Sequence, residues 1–145
     1  KGENIKVKDL LYGLLVYSAN DAAMTLAMNY PVASESGTTP YDAFVLAMNE
    51  KARDLSMDNS YFEKPVGLDW VDQATTARDL LRVSEVAMRN SYFAKIVGTK
   101  EITVRDASGK SVYYLKNIKE LLGDTPGVLG VKTGWTENAR ENLVT

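Results

Sequence analysis

The chain has 145 residues, of which 45% are hydrophobic and 25% charged, and its net charge is −2. This composition is typical of one globular unit large enough to bury a core, and it excludes a disordered or fibrous chain. Lys and Arg are scattered along the sequence, so no basic patch indicates nucleic acid or anionic lipid as a partner.

The sequence contains neither Cys nor His. A disulfide framework, the usual zinc ligands and a Ser-His-Asp triad are therefore excluded within these residues, and acid–base chemistry must fall to Ser, Lys, Tyr or carboxylates. No apolar run approaches the ~20 residues that span a bilayer, and the chain does not open with a basic segment followed by an apolar one.

Apolar residues at helical spacing predict two helices separated by a polar break at residues 17–21. The first covers residues 8–17, and the second starts near Asn20 or Asp21 and fades before Pro31, because the residue preceding a proline is pushed away from helical angles. Gly13 inside the first helix predicts a close approach of another part of the backbone. Residues 31–39 are polar and predict an exposed loop.

Two capping sequences predict the next helices. Thr39-Pro40-Tyr41-Asp42 combines a hydroxyl cap, a proline at the first helical position and an acid in the first turn, and the helix should reach Leu55. Thr76 and Asp79 repeat this logic for a helix to about Arg89, with Leu80, Val83 and Ala87 as its buried stripe. Residues 92–97 suggest one more short helix.

From Thr99 the period changes to that of strands. Residues 101–105 alternate in polarity, residues 106–109 have turn chemistry and residues 112–115 resume a strand, which predicts a hairpin. A further strand is predicted over residues 127–132, and the motif Lys132-Thr133-Gly134 lies at its end. Leu143 and Val144 are interpreted as the first residues of a strand that the chain does not complete.

Two short motifs lie far apart in the sequence. Ser18-Ala19-Asn20 occupies the polar break, and Lys132-Thr133-Gly134 ends the predicted strand. Each has a purely structural alternative, a capped helix corner for the first and a strand end before a turn for the second. Together they are two thirds of the motif set of penicillin-binding proteins and serine β-lactamases.

The sequence around these motifs resembles the low-molecular-weight D-alanyl-D-alanine carboxypeptidases. The resemblance runs in order from Lys1 to Thr145 and includes Ser18-Ala19-Asn20-Asp21-Ala22, Leu55-Ser56-Met57 and Pro65-Val66-Gly67-Leu68. It departs at three positions. The family usually has Gly in place of Ser56 and Asn in place of Lys64, and it often has His in place of Trp135. It implies an α/β (α+β) fold of the β-lactamase/transpeptidase type, a helical cluster packed on an antiparallel sheet, here as a single partial domain over residues 1–145.

The resemblance also implies roles for individual residues. Ser18, Asn20 and Lys132 would be catalytic: Ser18 passes a proton to the departing D-alanine and Asn20 binds the substrate's backbone amide. Lys132 and Thr133 would hold the terminal carboxylate. Gly134 would keep the strand edge open, and the amide of Trp135 would help form the oxyanion hole. No metal or organic cofactor is implied.

The expected reaction is removal of the terminal D-alanine from peptidoglycan stem peptides through a serine ester, outside the cytoplasm, with β-lactams as further ligands. No nucleic acid is expected as a partner. Contact with a membrane is expected only through segments that this sequence does not contain. The reaction needs a Ser-x-x-Lys motif, which the sequence lacks. We therefore expect an internal piece of a longer protein, inactive alone, without the upstream nucleophile helix and the terminal strands. A serine β-lactamase or transpeptidase and an inactive peptidoglycan- or penicillin-binding module stay open as alternatives.

Overall fold

The computed structural model describes residues 2–33 and 37–145, which contain five helices and four strands. In chain order these are α1 Val7–Val16, α2 Asn20–Met28, α3 Pro40–Asp54, α4 Ala77–Met88, α5 Ser91–Val97, β1 Glu101–Arg105, β2 Val112–Lys116, β3 Lys132–Thr136 and β4 Arg140–Val144. The predicted loop over residues 31–39 has no regular structure where it is described, and its residues 34–36 lie outside the described ranges.

The predicted break between the first two helices is confirmed. Helix α1 ends at Val16 and α2 begins at Asn20, and Ser18 lies between them with φ 62°. A Cβ placed on Gly13 would lie 3.4 Å from the Cβ of Ala22. The close approach predicted at Gly13 is therefore the packing of α2 against α1.

The two predicted capping sequences are also confirmed. The side chain of Thr39 accepts a hydrogen bond from the Asp42 amide, and that of Thr76 accepts one from the Asp79 amide. The expected apolar stripe of α4 is only half-buried, and the buried residue of that helix is Asp79, which is 1% exposed. Its carboxylate accepts hydrogen bonds from the Asn59 amide (3.1 Å) and the Ser60 hydroxyl (2.9 Å), so it ties α4 to the loop that follows α3.

The strands form two separate two-stranded antiparallel sheets within the described ranges, β1 with β2 and β3 with β4. The strand predicted over residues 127–132 is wrong, because β3 begins only at Lys132. Gly127, Gly130 and Val131 have φ values of 87°, 117° and 66°, which an extended strand does not accommodate.

The prediction for the C-terminal segment is also wrong. The strand begins at Arg140 rather than at Leu143, and as β4 it pairs with β3 from Arg140 opposite Thr136 to Val144 opposite Lys132. The turn between them is held by the Thr136 hydroxyl, which accepts a hydrogen bond from the Ala139 amide (3.0 Å). Positive φ at Arg140 then starts the return strand.

The hydrophobic core lies between α1, α5 and the β1–β2 hairpin. Its buried side chains are Tyr12, Val16, Ile96, Val104 and Leu115. This core fixes the C-terminal end of α1, and with it the Ser18 corner. In the part of the chain that is described, no helix is both long enough and apolar enough to cross a membrane.

Candidate active site

The fold brings the two sequence motifs into direct contact. The Lys132 Nζ donates a hydrogen bond of 2.6 Å to the Ser18 Oγ, although the two residues are 114 positions apart. Ser18 comes from the α1–α2 corner and Lys132 from the first position of β3. Positive φ at a non-glycine residue such as Ser18 is disfavoured, and backbone of this kind is concentrated at functional sites.

The Ser18 hydroxyl does not cap a helix. The residue at the N-cap of α2 is Ala19, and no side chain caps that helix. The C-cap residue of α1 is Tyr17, and the carbonyl of Gly13 accepts from the Ala19 backbone amide (3.0 Å) rather than from a side chain. The hydroxyl accepts from Lys132 instead, and it donates to no other described residue, so its proton is available on the side of the cleft.

Lys132 is half-buried, and this changes its chemistry. Its ammonium donates to Ser18 and to the carbonyl oxygen of Thr133, and within residues 2–33 and 37–145 no carboxylate forms an ion pair with it. Burial lowers the pKa of Lys132, because the charged form loses hydration. The side chain is therefore suited both to attract an anionic ligand and to exchange a proton with Ser18.

Ser18 opens onto a cleft of about 500 Å³ between the α1–α2 corner, the β2–β3 connection and the β3–β4 hairpin. Three of the predicted substrate-binding residues line this cleft, namely Thr133, Gly134 and Trp135. Trp135 is 57% exposed and forms part of the cleft rim. The complete lining consists of Ser18, Ile118, Lys119, Glu120, Leu121, Val128, Gly130, Thr133, Gly134, Trp135, Glu141, Asn142, Leu143 and Thr145.

Asn20 is the predicted site residue that the structure does not bring to the others. It is the first residue of α2, exposed, and it is not part of the cleft lining. Its side chain makes no hydrogen bond with another described residue. A role for Asn20 therefore requires a bound ligand as its partner.

Lys119 is a site residue that sequence reasoning missed. It is 4% exposed, and its Nζ donates to the carbonyl of Leu15 (2.8 Å) and to Oδ1 of Asn117 (3.2 Å). Burial and then the charge of Lys132 lower the pKa of Lys119 to about 8. The segment between β2 and β3 has no periodicity that would have marked this lysine as buried.

The β4 residues Glu141, Asn142 and Leu143 were missed for a different reason. They line the cleft because β4 pairs with β3, which places Glu141 opposite Trp135 and Leu143 opposite Thr133. A hairpin prediction over residues 132–144 would have identified them. In the described ranges no group of three or more potential metal ligands is present.

Comparison with known proteins gives one consistent result. The sequence profile described as D-alanyl-D-alanine carboxypeptidase matches residues 1–145. The chain is 33% identical over 139 residues to the D-alanyl-D-alanine carboxypeptidase DacF of Bacillus subtilis, covering 96% of this chain and 34% of that protein. It is 37% identical over 145 residues to DacB2 of Mycobacterium tuberculosis, covering 99% of this chain and 46% of that protein. The chain thus spans between a third and a half of the length of these relatives.

Solved structures agree with the sequence relatives. The crystal structure of a Streptomyces DD-transpeptidase matches with a TM-score of 0.84 and 34% identity, covering 94% of this chain and 53% of that one. The D-alanyl-D-alanine carboxypeptidase structure from Mycobacterium tuberculosis matches with a TM-score of 0.80 and 36% identity, covering 94% of this chain and 48% of that one. The expected penicillin-binding fold of α+β type is therefore confirmed.

Proposed function

The chain belongs to the D-alanyl-D-alanine carboxypeptidase family, and from this premise we propose that its residues form the proton-transfer and carboxylate-binding side of a serine peptidase active site. The substrate is a peptidoglycan stem peptide ending in D-Ala-D-Ala, and penicillin is a ligand of the same site. The observation that carries the proposal is the 2.6 Å hydrogen bond between Lys132 and Ser18.

The proposed reaction has two steps. Acylation breaks the peptide bond to the last D-alanine, forms an ester with the reactive serine and moves that serine's proton to the departing amine. Ser18 relays this proton, because its hydroxyl is held by Lys132 and faces the cleft. Water then hydrolyses the ester, which releases the shortened peptide and restores the serine.

Substrate binding uses the residues of β3. Lys132 and Thr133 hold the terminal carboxylate, the former by charge and the latter by a directed hydrogen bond. The peptide lies beside β3 as an added strand, because only β4 pairs with β3 among the described strands. Gly134 leaves room for this strand, and the Trp135 amide contributes to the oxyanion hole. Asn20 binds a backbone amide of the substrate.

The reactive serine of this proposal is not in the printed sequence, which contains no Ser-x-x-Lys. Residues other than these 145 must supply it, and without it the 145 residues form no penicillin ester. The proposed place of action is outside the cytoplasm, where peptidoglycan is.

Transpeptidation is the second candidate, because a solved structure with a TM-score of 0.84 is named a DD-transpeptidase. The two activities share acylation and differ in whether water or an amine accepts the acyl group. Adding an amino-acid acceptor to the peptide assay separates them, since a transpeptidase forms a new peptide product and a carboxypeptidase releases only the shortened peptide.

The proposal predicts that Lys132→Ala in the native protein lowers the second-order rate of acylation by penicillin. A charge-assisted hydrogen bond to a carboxylate contributes roughly 1.5–3 kcal/mol, which corresponds to about one to two decades in rate. Lys132→Arg should not restore the rate, because the larger planar guanidinium moves the charge away from Ser18. Stopped-flow measurement with a chromogenic or fluorescent penicillin tests all of these variants.

Lys110→Ala is the matched control, because Lys110 is an exposed lysine in the turn between β1 and β2. It should acylate at the wild-type rate. Ser18→Ala should lose rate as Lys132→Ala does, since the two side chains act as a pair. Wild-type rates in both Lys132→Ala and Ser18→Ala would remove these residues from the site and contradict the proposal.

A further inference from the structure

Lys119 is a buried cation without a carboxylate partner. It is 4% exposed, and it takes part in none of the ion pairs of the described residues. A buried lysine without an acidic partner is costly, because its ammonium loses hydration. The hydrogen bonds of its ammonium offset part of this cost.

The partners of Lys119 lie at the end of α1. Its ammonium donates to the carbonyl of Leu15 (2.8 Å), and the amide of the preceding residue, Ile118, donates to the carbonyl of Val16 (3.3 Å). The last four carbonyls of a helix have no partner within the helix. The Ala19 amide, which would be the next helical donor for Leu15, donates to Gly13 instead. A cation at this position is also favoured by the negative end of the helix dipole.

The position of Lys119 is itself fixed on the other side. Asn117 accepts from the Lys119 amide (3.0 Å) and from its Nζ (3.2 Å) through one oxygen. The side-chain amide nitrogen (Nδ2) of Asn117 donates to the carbonyl of Thr99 (2.8 Å), two residues before the start of β1. A chain of hydrogen bonds therefore runs from the β1–β2 hairpin through Asn117 and Lys119 to the last turn of α1.

Ser18 lies two residues after the end of α1 at Val16, and Ser18 and Lys119 line the same cleft. We propose that Lys119 is a positioning residue, which holds the end of α1 so that the Ser18 hydroxyl stays within hydrogen-bonding distance of Lys132. This inference rests on the proposed function of Ser18 and Lys132 and adds a residue that acts through them. In this proposal Lys119 acts through Ser18 and Lys132, and its ammonium is engaged by the carbonyl of Leu15 and by Asn117.

The test separates binding from chemistry in acylation by penicillin. Lys119→Met keeps an unbranched side chain of similar length and removes the ammonium. We expect the first-order acylation step to slow by about tenfold to a hundredfold, because a small misplacement of a catalytic group has effects of this size. The dissociation constant of the preceding noncovalent complex should stay within about twofold of wild type, and the number of sites titrated per molecule should be unchanged. Lys110→Met is the matched control and should match wild type in all three quantities.

Other outcomes overturn the inference. A weaker noncovalent complex with an unchanged acylation step would make Lys119 a ligand-binding cation. If fewer sites per molecule react with penicillin but the remaining sites react with normal kinetics, Lys119 would be a purely structural residue. If Lys119→Met is insoluble, Lys119→Gln, whose shorter side chain falls short of the Leu15 carbonyl, provides the same comparison. A wild-type acylation rate in Lys132→Ala would instead contradict the proposed function, so the two failures are distinguishable.

Discussion

Among the described residues, four other than glycine have positive φ, and two of them belong to or adjoin the Lys132–Ser18 contact. Ser18 has φ 62°, and Val131, which directly precedes Lys132, has φ 66°. This conformation costs roughly 1–2 kcal/mol for an L-residue, and for a β-branched residue such as Val131 it is an outlier. The neighbouring position requires glycine, because a Cβ on Gly130 would collide with the carbonyl of Val97 at the end of α5.

Ser56 shows the same conformation away from the cleft and can be tested simply. It follows α3 with φ 54°, and its side chain makes no hydrogen bond with another described residue. Ser56→Gly should raise the free energy of unfolding by about 0.5–1 kcal/mol, because glycine adopts positive φ without steric cost. Urea denaturation of the purified protein measures the change. Ser56→Ala keeps the Cβ and should give no gain, so an equal gain in Ser56→Ala would show that φ is not the cause.

At the scale of elements, the geometry of the Ser18 corner depends on how closely α1 and α2 pack. Gly13 lies where the two helices touch, with Ala22 and Ala19 as its neighbours. Small residues at this contact allow the chain to reverse within the three residues from Tyr17 to Ala19. The corner then directs Ser18 towards β3 rather than towards either helix.

Substitutions at Gly13 should therefore depend strongly on size. Gly13→Ala should leave the free energy of unfolding unchanged or raise it by up to about 1 kcal/mol, because a contact of 3.4 Å is tolerable and alanine favours helix. Gly13→Leu should lower it by about 1–3 kcal/mol through overpacking. Urea denaturation of the two variants gives the comparison. If Gly13→Leu is as stable as Gly13→Ala, the helices are not in the close contact described.

For the molecule as a whole, the buried Lys119 couples stability to pH. The pKa of Lys119 falls from an ordinary 10.5 to about 8 in the folded protein. Between these values the unfolded chain binds a proton that the folded chain has lost, so the free energy of unfolding rises as the pH rises from 8 to 10.5. The contribution of this lysine is about 3 kcal/mol when complete.

The expected measurement is a series of denaturation curves at pH values from 7 to 10.5. Over the alkaline part of this pH range, the free energy of unfolding of wild type should rise relative to that of Lys119→Met, which lacks the contribution of the lysine. Lys110→Met serves as the control and should follow wild type, since Lys110 is exposed. Parallel curves for wild type and Lys119→Met would mean that Lys119 keeps its proton in the folded state.

The local elements and the chemistry of the two motifs are readable from the amino-acid sequence. Helix caps at Thr39 and Thr76, the break at residues 17–21 and the first hairpin depend on interactions between near neighbours, and near neighbours are readable from the sequence. The D-alanyl-D-alanine carboxypeptidase family was recognisable for the same reason, since the two of its motifs that the chain contains are short and continuous.

The position of the strands near the cleft, and the set of residues that line it, depend on tertiary packing. The start of β3 at Lys132 depends on the close contact between Gly130 and the backbone of Val97. The pairing of β4 depends on a turn with positive φ at Arg140. The burial of Lys119 depends on the carbonyl of Leu15, 104 residues away. Contacts across such separations leave no periodic signal in the sequence, because they arise from packing whole elements rather than from the preferences of adjacent residues.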